Sequence, residues 1–462
     1  MKLRFLLFFI FLAGLIFTRF YNIENTSRFT RDESYNLFQM HRIWQEKDIT
    51  LIGPMDAGKT LIHPSMMFYM LLPFAIAGDF EPVSPAIGTA VYSVLTATLT
   101  LYLVYKLNKK FIFPVALLLI FWIPLVESGR WAWNPHLVPF TTVIALILLF
   151  KKQRFAKFLS GILLGASFHL HFFTAAATGV FVILKRNIYL LVGVALMILP
   201  FVIFDITHPP GLFFGHYLRS NIVSSGASNE ASFFLRTFSQ NMLNSLIYFA
   251  QIKIIAVALA IIVLLLAFFD IKHKKENLVY FLPIVAQIAG ISFLPRYENR
   301  YLVLVIVFFI VWLVLPRRPL QQKLSKFAIV LLAVTSMFTL PIILTKPSLP
   351  PGTYIARLAT NYISGSVKAH GHKNVNLAVL ASPDPDPLGS IYRHTLQTKN
   401  IHVLLENQYS ITDNLFVIST SDEKLVRNDP ANLMQGFRNG KLAETYQIKD
   451  TDWKVYLFKR DE

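Results

Sequence analysis

Along most of this chain apolar residues arrive in unbroken runs, not in the alternation of a half-buried strand or the three-to-four spacing of an amphipathic helix. The runs approach the roughly 20 residues that a helix needs to cross a hydrocarbon core of about 30 Å. The polar punctuation between them is short and basic: "KLNKK" (106–110), "KKQRFAK" (151–157), "KRN" (185–187), "IKHKKEN" (271–277) and "PRRPLQQKLSK" (316–326). Loops of that kind stay on the cytoplasmic side. Threading the chain between them predicts eleven spans, near 5–20, 86–105, 111–126, 137–150, 158–170, 172–184, 188–204, 242–269, 278–294, 301–315 and 327–344. The fifth and sixth form a hairpin turning near His169 and His171. The first run follows Lys2 and Arg4, and no A-x-A-like site comes after it, so it reads as an uncleaved span with the N-terminus inside. An odd number of spans puts the C-terminus outside.

Two regions break the pattern. The first outer loop (21–85) is far the longest, and its stretch "HPSMMFYMLLPFAIAG" (63–78) is apolar but short of a crossing. It reads as a helix in the outer interface. From residue 345 charge rises and the apolar runs shorten. "NVNLAVLAS", "IHVLL", "LFVIST" and "WKVYLFK" read as strands, and "DPLGSIYRHTLQTKN" as a turn and helix. "SPDPDP" (382–387) reads as a rigid turn, with a two-aspartate metal site as the alternative. The expected fold is mainly α: a polytopic transmembrane helical bundle over 1–344, with interfacial helices in the first outer loop, and a small extracytoplasmic α/β domain over 345–462.

Composition agrees. Of 462 residues, 54% are hydrophobic and 15% charged, against about 25% charge in soluble domains. Cysteine is absent, which removes disulfides and thiolate metal sites. The net charge of +18 would suggest nucleic acid in a soluble protein. Here it belongs to the cytoplasmic loops, and no nucleic-acid partner is expected.

One motif matches by letter. Gly53, Gly58, Lys59 and Thr60 in "LIGPMDAGKT" satisfy the phosphate-loop pattern G-x-x-x-x-G-K-[ST]. A working phosphate loop needs a buried strand before it, a helix starting at its Lys-Thr, and cytosolic nucleotide. Pro64 would break such a helix in its first turns, and the loop lies outside. No nucleotide is expected at 53–60.

The outer loops hold the chemistry. "FTRDESYNLF" (29–38) places Asp32 and Glu33 a dozen residues beyond the first span. Acids in a helix's first turn answer the macrodipole, so an N-terminal cap is one reading. A general base with a raised pKa at the water–lipid boundary is the other. His63-Pro64 opens the interfacial helix. "ESGRWAWNPH" (127–136) gathers Glu127, Arg130, two tryptophans, Asn134 and His136, and "RYENRY" (296–301) carries two arginines and a glutamate. Belt aromatics and snorkelling arginines explain each cluster singly. Together, Arg31, Arg130, Arg296 and Arg300 have no positive-inside reason to be outside, and arginine suits a phosphate. His169 and His171 lie at membrane depth, where polar side chains face cavities. Their i, i+2 spacing splays them apart on a helix, and His171 is the one expected to enter a site.

"RDESYNLF" after one span, then "LIGP", "HPSMMFYMLLPF" and "GRWAWNP", resembles the GT-C superfamily of polytopic glycosyltransferases, in its protein O-mannosyltransferase and aminoarabinose-transferase-like bacterial branch. The resemblance covers roughly residues 1–310. Ser65 stands where a second proline is common. It implies an enzyme that moves a sugar from a polyprenyl monophosphate to an acceptor hydroxyl on a glycan, lipid or protein outside the cytoplasm. Carried over, Asp32 is the base for an inverting attack, and Glu33 orients the acceptor or holds Asp32. Countercharge for the donor phosphate falls to Arg130, Arg296 and Arg31. His63, His171 and Asn134 orient substrate. A divalent metal beside the lipid phosphate is also compatible with the family, with His63 as its candidate ligand. The "MMFYMLLPF" helix and neighbouring spans would form an apolar groove for the prenyl chain.

Two other classes stay open. A transporter or flippase of lipid-linked sugars would share the spans, but needs an internal repeat and polar breaks at mid-membrane. The chain shows no such repeat, and its informative residues gather on one face. A membrane-anchored scaffold would explain the tail and leave the long first loop idle.

Overall fold

The computed structural model describes residues 2–55, 62–209, 211–213, 215, 231–293, 298–347, 352–380, 382, 386, 388–405, 407–430, 432–434 and 436–460. The chain divides into two compact units that do not follow chain order. The first comprises Met1–Tyr21, Thr50–Met70 and Ile87–Thr345; the second comprises Asn22–Ile49, Leu71–Ala86 and Lys346–Glu462.

In the first unit helices dominate: α1 (Lys2–Phe20), α5 (Ser84–Leu107), α6 (Ile112–Phe121), α7 (Ile123–Ser128), α8 (Val138–Leu149), α9 (Arg154–Leu170), α10 (Thr174–Lys185), α11 (Ile188–Thr207), α12 (Ala231–Ala250), α13 (Lys253–His273), α14 (Leu278–Ile291), α15 (Ile306–Val314) and α16 (Pro319–Thr345). Among the described residues four helices, α5, α11, α13 and α16, are long and apolar enough to cross a membrane. Their outward faces are apolar. Ile254, Val257, Ile261, Leu264 and Phe268 form a stripe at helical spacing on α13, all exposed. Hydrocarbon at a protein's surface in this amount belongs against lipid, and the chain is a membrane protein. α15 is the reverse case: all nine of its residues are buried, as expected of a helix that is apolar all round.

Close packing depends on missing side chains. A Cβ at Gly161 of α9 would lie 2.2 Å from the Leu190 carbonyl oxygen, and one at Gly193 of α11 would lie 2.3 Å from that of Phe158. The two backbones touch where glycine allows it, the small-residue contact of membrane helices.

The element map departs from the expected spans in identifiable places. The run 242–269 is not one helix. Gln251 adopts φ 64°, closing α12, and α13 starts afresh at Lys253. Hydropathy misses this break because both flanks are apolar. The run 111–126 is broken at Trp122, whose extended backbone precedes Pro124 in the first turn of α7. The expected hairpin break is present: α9 stops at Leu170, His171 is extended, and α10 begins at Thr174.

The segments on either side of residues 56–61 pair as strands. β1 (Ile52–Met55) pairs antiparallel with β2 (Ile62–Pro64). A Cβ at Gly53 would fall 2.2 Å from the Pro64 carbonyl oxygen, so glycine serves close strand approach there. Gly58, Lys59 and Thr60 lie outside the described residues. The chain continues as strand by Ile62, where a phosphate loop would be helical. His63 and Pro64 therefore end a strand instead of opening a helix; α4 (Met66–Ala77) begins two residues later. At 12 residues α4 rises about 18 Å, short of a crossing, as expected. The unit boundary falls within it.

In the second unit, α2 (Ile23–Thr26) and α3 (Arg31–Glu46) join α17 (Gly352–His370), α18 (Ser390–Thr398), α19 (Glu423–Arg427) and a four-stranded sheet. Strand order is β3 (Val375–Val379), β4 (Asn414–Ser419), β6 (Lys454–Lys459), β5 (Lys441–Gln447). β3 and β4 run parallel; the other pairs are antiparallel. Leu415, Val417, Met434, Phe437 and Phe458 fill its core. "IHVLL" is not a strand, though Leu404 N–H reaches the Val375 carbonyl. Asp386 of "SPDPDP" accepts from the Ser390 N–H (2.7 Å) and caps α18. Asp384 lies outside the described residues.

Candidate functional site

In the second unit, Thr30 precedes α3 and forms a capping box with Glu33. The Glu33 carboxylate accepts from the Thr30 N–H (2.8 Å) and from its hydroxyl. Glu33 is thus a buried N3 residue that closes the helix end. Asp32, half-buried one position earlier, takes no part in that box. The cap reading of the acidic pair thus falls to Glu33. Arg31 is exposed.

His394 of α18 holds this helix from the other side. Its ring stacks on Phe38 at 5.9 Å, meets Tyr35 edge-on at 5.7 Å, and sets Nδ1 3.1 Å from the Ser34 hydroxyl. Ser34 donates its proton to the Arg31 carbonyl (2.9 Å), so His394 Nδ1–H donates to Ser34. Burial, and then the Arg31 charge, push His394 down to about 4. Two ion pairs add to the clamp, Arg357 with Glu24 and Lys399 with Glu81.

In the first unit a cluster of rings surrounds the 131–136 turn. Trp131 and Trp133 stack at 5.3 Å, and His136 packs against both while bonding the Trp131 carbonyl (2.8 Å). His171 lies 5.9 Å from Trp133, 5.2 Å from Tyr301 and 4.8 Å from His63, ring centre to ring centre. His63, His136 and His171 are all buried. Phe173 N–H donates to His171 Nδ1 (3.3 Å), which leaves the proton of the neutral ring on Nε2 as a donor. Asn134 donates to the Leu170 carbonyl (2.6 Å), tying the turn to the end of α9. His169 instead bonds the Met197 carbonyl of α11 (2.7 Å). The structure thus joins His63, His171 and the Asn134 turn in one cluster and places His169 outside it.

Arg130 is committed elsewhere. It donates to the carbonyls of Thr18 (3.0 Å), Arg19 (3.0 Å) and Tyr21 (2.8 Å), the open end of α1. These bonds use both N–H groups of Nη1 and one of Nη2, and they fix the guanidinium at that helix end. Arg19 is its neighbour and was not singled out by the sequence. It is wholly buried, and it donates to Thr18, Leu119 and Ile120. Its sequence position at the end of a span looks like ordinary snorkelling. Arg296 lies outside the described residues. His63 belongs to no group of three or more His, Asp or Glu at metal-ligand spacing among the described residues.

No family model matches the chain, and no curated protein matches it. Solved structures do. The chain is similar to ArnT from Cupriavidus metallidurans bound to undecaprenyl phosphate, with a TM-score of 0.58, 11% identity and 97% of each chain covered. It is similar also to the same protein in the apo state, with a TM-score of 0.57, 10% identity and the same coverage. Over nearly its whole length the chain shares the fold of these ArnT structures.

Proposed function

We propose that this chain is an inverting glycosyltransferase that moves a sugar from a polyprenyl-monophosphate donor to an acceptor hydroxyl on the extracytoplasmic side of the membrane. The observation that carries the reading is the shared fold across 97% of both chains, with undecaprenyl phosphate bound in one of the neighbours. Supporting it, the capping box of Thr30 and Glu33 fixes the first turn of α3, in which Asp32 lies.

The step is a single displacement. Asp32 takes the acceptor's hydroxyl proton as that oxygen attacks the anomeric carbon. The bond from that carbon to the phosphate oxygen breaks, its electrons stay on the phosphate, and polyprenyl phosphate leaves as an anion. Glu33 holds the turn that presents Asp32. Arg31, Arg130 and Arg296 are the proposed phosphate ligands. Arg130, with Arg19 beside it, fixes the end of α1 and adds positive potential there. His171, through Nε2–H, and His63 orient sugar or phosphate oxygens above the Trp131, Trp133 and Tyr301 rings. Asn134 acts by positioning its turn. The chain crosses the membrane several times, with the basic loops in the cytoplasm and residues 345–462 outside.

The decisive experiment replaces Asp32 with Asn and measures transfer from polyprenyl-phosphate sugars by purified protein. Loss of about 10²–10⁴-fold in kcat with donor binding retained is expected; unchanged turnover in a folded variant overturns the assignment. Sidedness is read from Leu425→Cys, an exposed position in a chain without cysteine. An impermeant thiol reagent is expected to label it in intact cells.

A further inference from the structure

The second unit carries a cluster of ligating side chains that the transfer reaction does not use. α17 ends at His370, and Gly371 takes φ 60°, the left-handed conformation that closes a helix. The reversal brings His372 back beside His370, with ring centres 5.3 Å apart and planes 30° from parallel. The third member, Glu444, comes from β5, an edge strand of the sheet. The pairing of β5 shifts register between Leu442 and Glu444, a bulge of the kind that re-aims a side chain. Glu444 faces α17. Tyr362 donates to its carboxylate at 2.6 Å and Ser366 at 3.0 Å, and Tyr446, two residues on, stacks on Tyr362 at 4.4 Å.

One nitrogen from each imidazole and one Glu444 oxygen lie within 4.8 Å of one another. Three features favour a metal over a simple ion pair. Two imidazoles and a carboxylate are the donor set of a borderline divalent ion such as zinc. The carboxylate is fixed by Tyr362 and Ser366, and His370 Nδ1 donates to the Ser366 carbonyl (3.2 Å); such outer contacts set the orientation of metal ligands. Lastly, His372 Nε2 is buried with no hydrogen-bond partner among the described residues. A buried polar atom in that state costs free energy unless something meets it.

We propose that His370, His372 and Glu444 bind one divalent transition metal of the zinc class, with water completing a tetrahedral shell. The ion fastens the end of α17 to β5 and stiffens an exposed sheet edge. Lys459, close enough to act on His372, opposes the added charge, so binding is weaker than at a four-ligand structural site.

The test titrates the full-length protein in detergent with Zn²⁺ against a chromophoric chelator. The wild type is expected to bind one equivalent more than the His370→Ala/His372→Ala variant, and Glu444→Gln to lose about tenfold or more in affinity. Tyr362→Phe is expected to lose affinity in the same direction while keeping the three ligands. Zn²⁺ is expected to raise the melting temperature of the wild type and leave that of the double variant unchanged. Equal stoichiometry and affinity in wild type and double variant, or no uptake by the wild type, overturns the site. Should the double variant misfold, His370→Ala alone carries the comparison, because that side chain is 57% exposed.

Discussion

At the scale of single residues, one member of the acidic pair beyond the first span is structural. Glu33 closes the capping box with Thr30, whereas Asp32 sits outside it. Thr30→Ala is therefore expected to cost about 1 kcal/mol of stability, the usual worth of such a cap, and to leave a measurable kcat, in contrast with Asp32→Asn. Thermal melting and turnover on the same preparations separate the two effects. The pair was visible in sequence, and so was the acid that caps: Thr30 and Glu33 have the T-x-x-E spacing of a capping box. His394 yields a pH prediction. Its folded pKa is near 4, below the ordinary imidazole value of 6.5. Between those two values the unfolded chain holds more protons than the folded one, so stability rises with pH across that window. Acidifying from about pH 6.5 towards 4 should loosen the second unit. His394→Phe, which keeps a ring against Phe38 and Tyr35, should flatten that dependence; an unaltered slope would remove His394 as the titrating group.

Among the helices, the clearest energetic feature is a buried ion pair near the end of α13. Asp270 accepts from Arg317 at 2.6 Å, from Trp312 Nε1 at 2.9 Å and from Asn277 at 3.0 Å, and neither charged side chain is more than 1% exposed. Removing one partner strands the other charge. Arg317→Leu or Asp270→Asn should cost about 3–5 kcal/mol, while the paired Asp270→Leu/Arg317→Leu change should cost less. Melting of the three variants in one detergent checks the order; equal losses would contradict the coupling. In sequence Asp270 is merely the acid closing a long apolar run, since its partner lies 47 residues away. The helices themselves were largely legible, because unbroken apolar runs leave few alternatives. The break at His171 was legible too, but two others were not. Trp122 and Gln251 interrupt runs by backbone conformation, and hydropathy averages over both. The strands of the α/β part were legible where burial is two-sided, as in β3 and β4, and β5 was missed because its residues alternate between exposed and half-buried.

For the whole molecule, chain order is a poor guide to what holds together. The first outer loop reads as an appendage of the spans around it. Yet residues 22–49 and 71–86 belong to the same compact unit as residues 346–462. His394, Arg357 and Lys399 are the means: each lies in the tail, and each engages the loop segments through Ser34, Glu24 or Glu81. Such pairings span more than 300 residues, and no local periodicity encodes them. Their consequence concerns α3. A 16-residue helix with a largely polar sequence has little stability alone, and tertiary contact must supply the rest. In the proposed mechanism α3 carries the base, so the tail would act as its scaffold. A chain ending at Thr345 should then insert into the membrane and still lose transfer. Leu37, fully buried on α3, gives the direct measurement. With Leu37→Cys as the sole thiol, modification should be slow in the full chain and fast in the shortened one. Equal protection in both would mean that α3 is held without the tail, and loss of activity on truncation would then need a different cause.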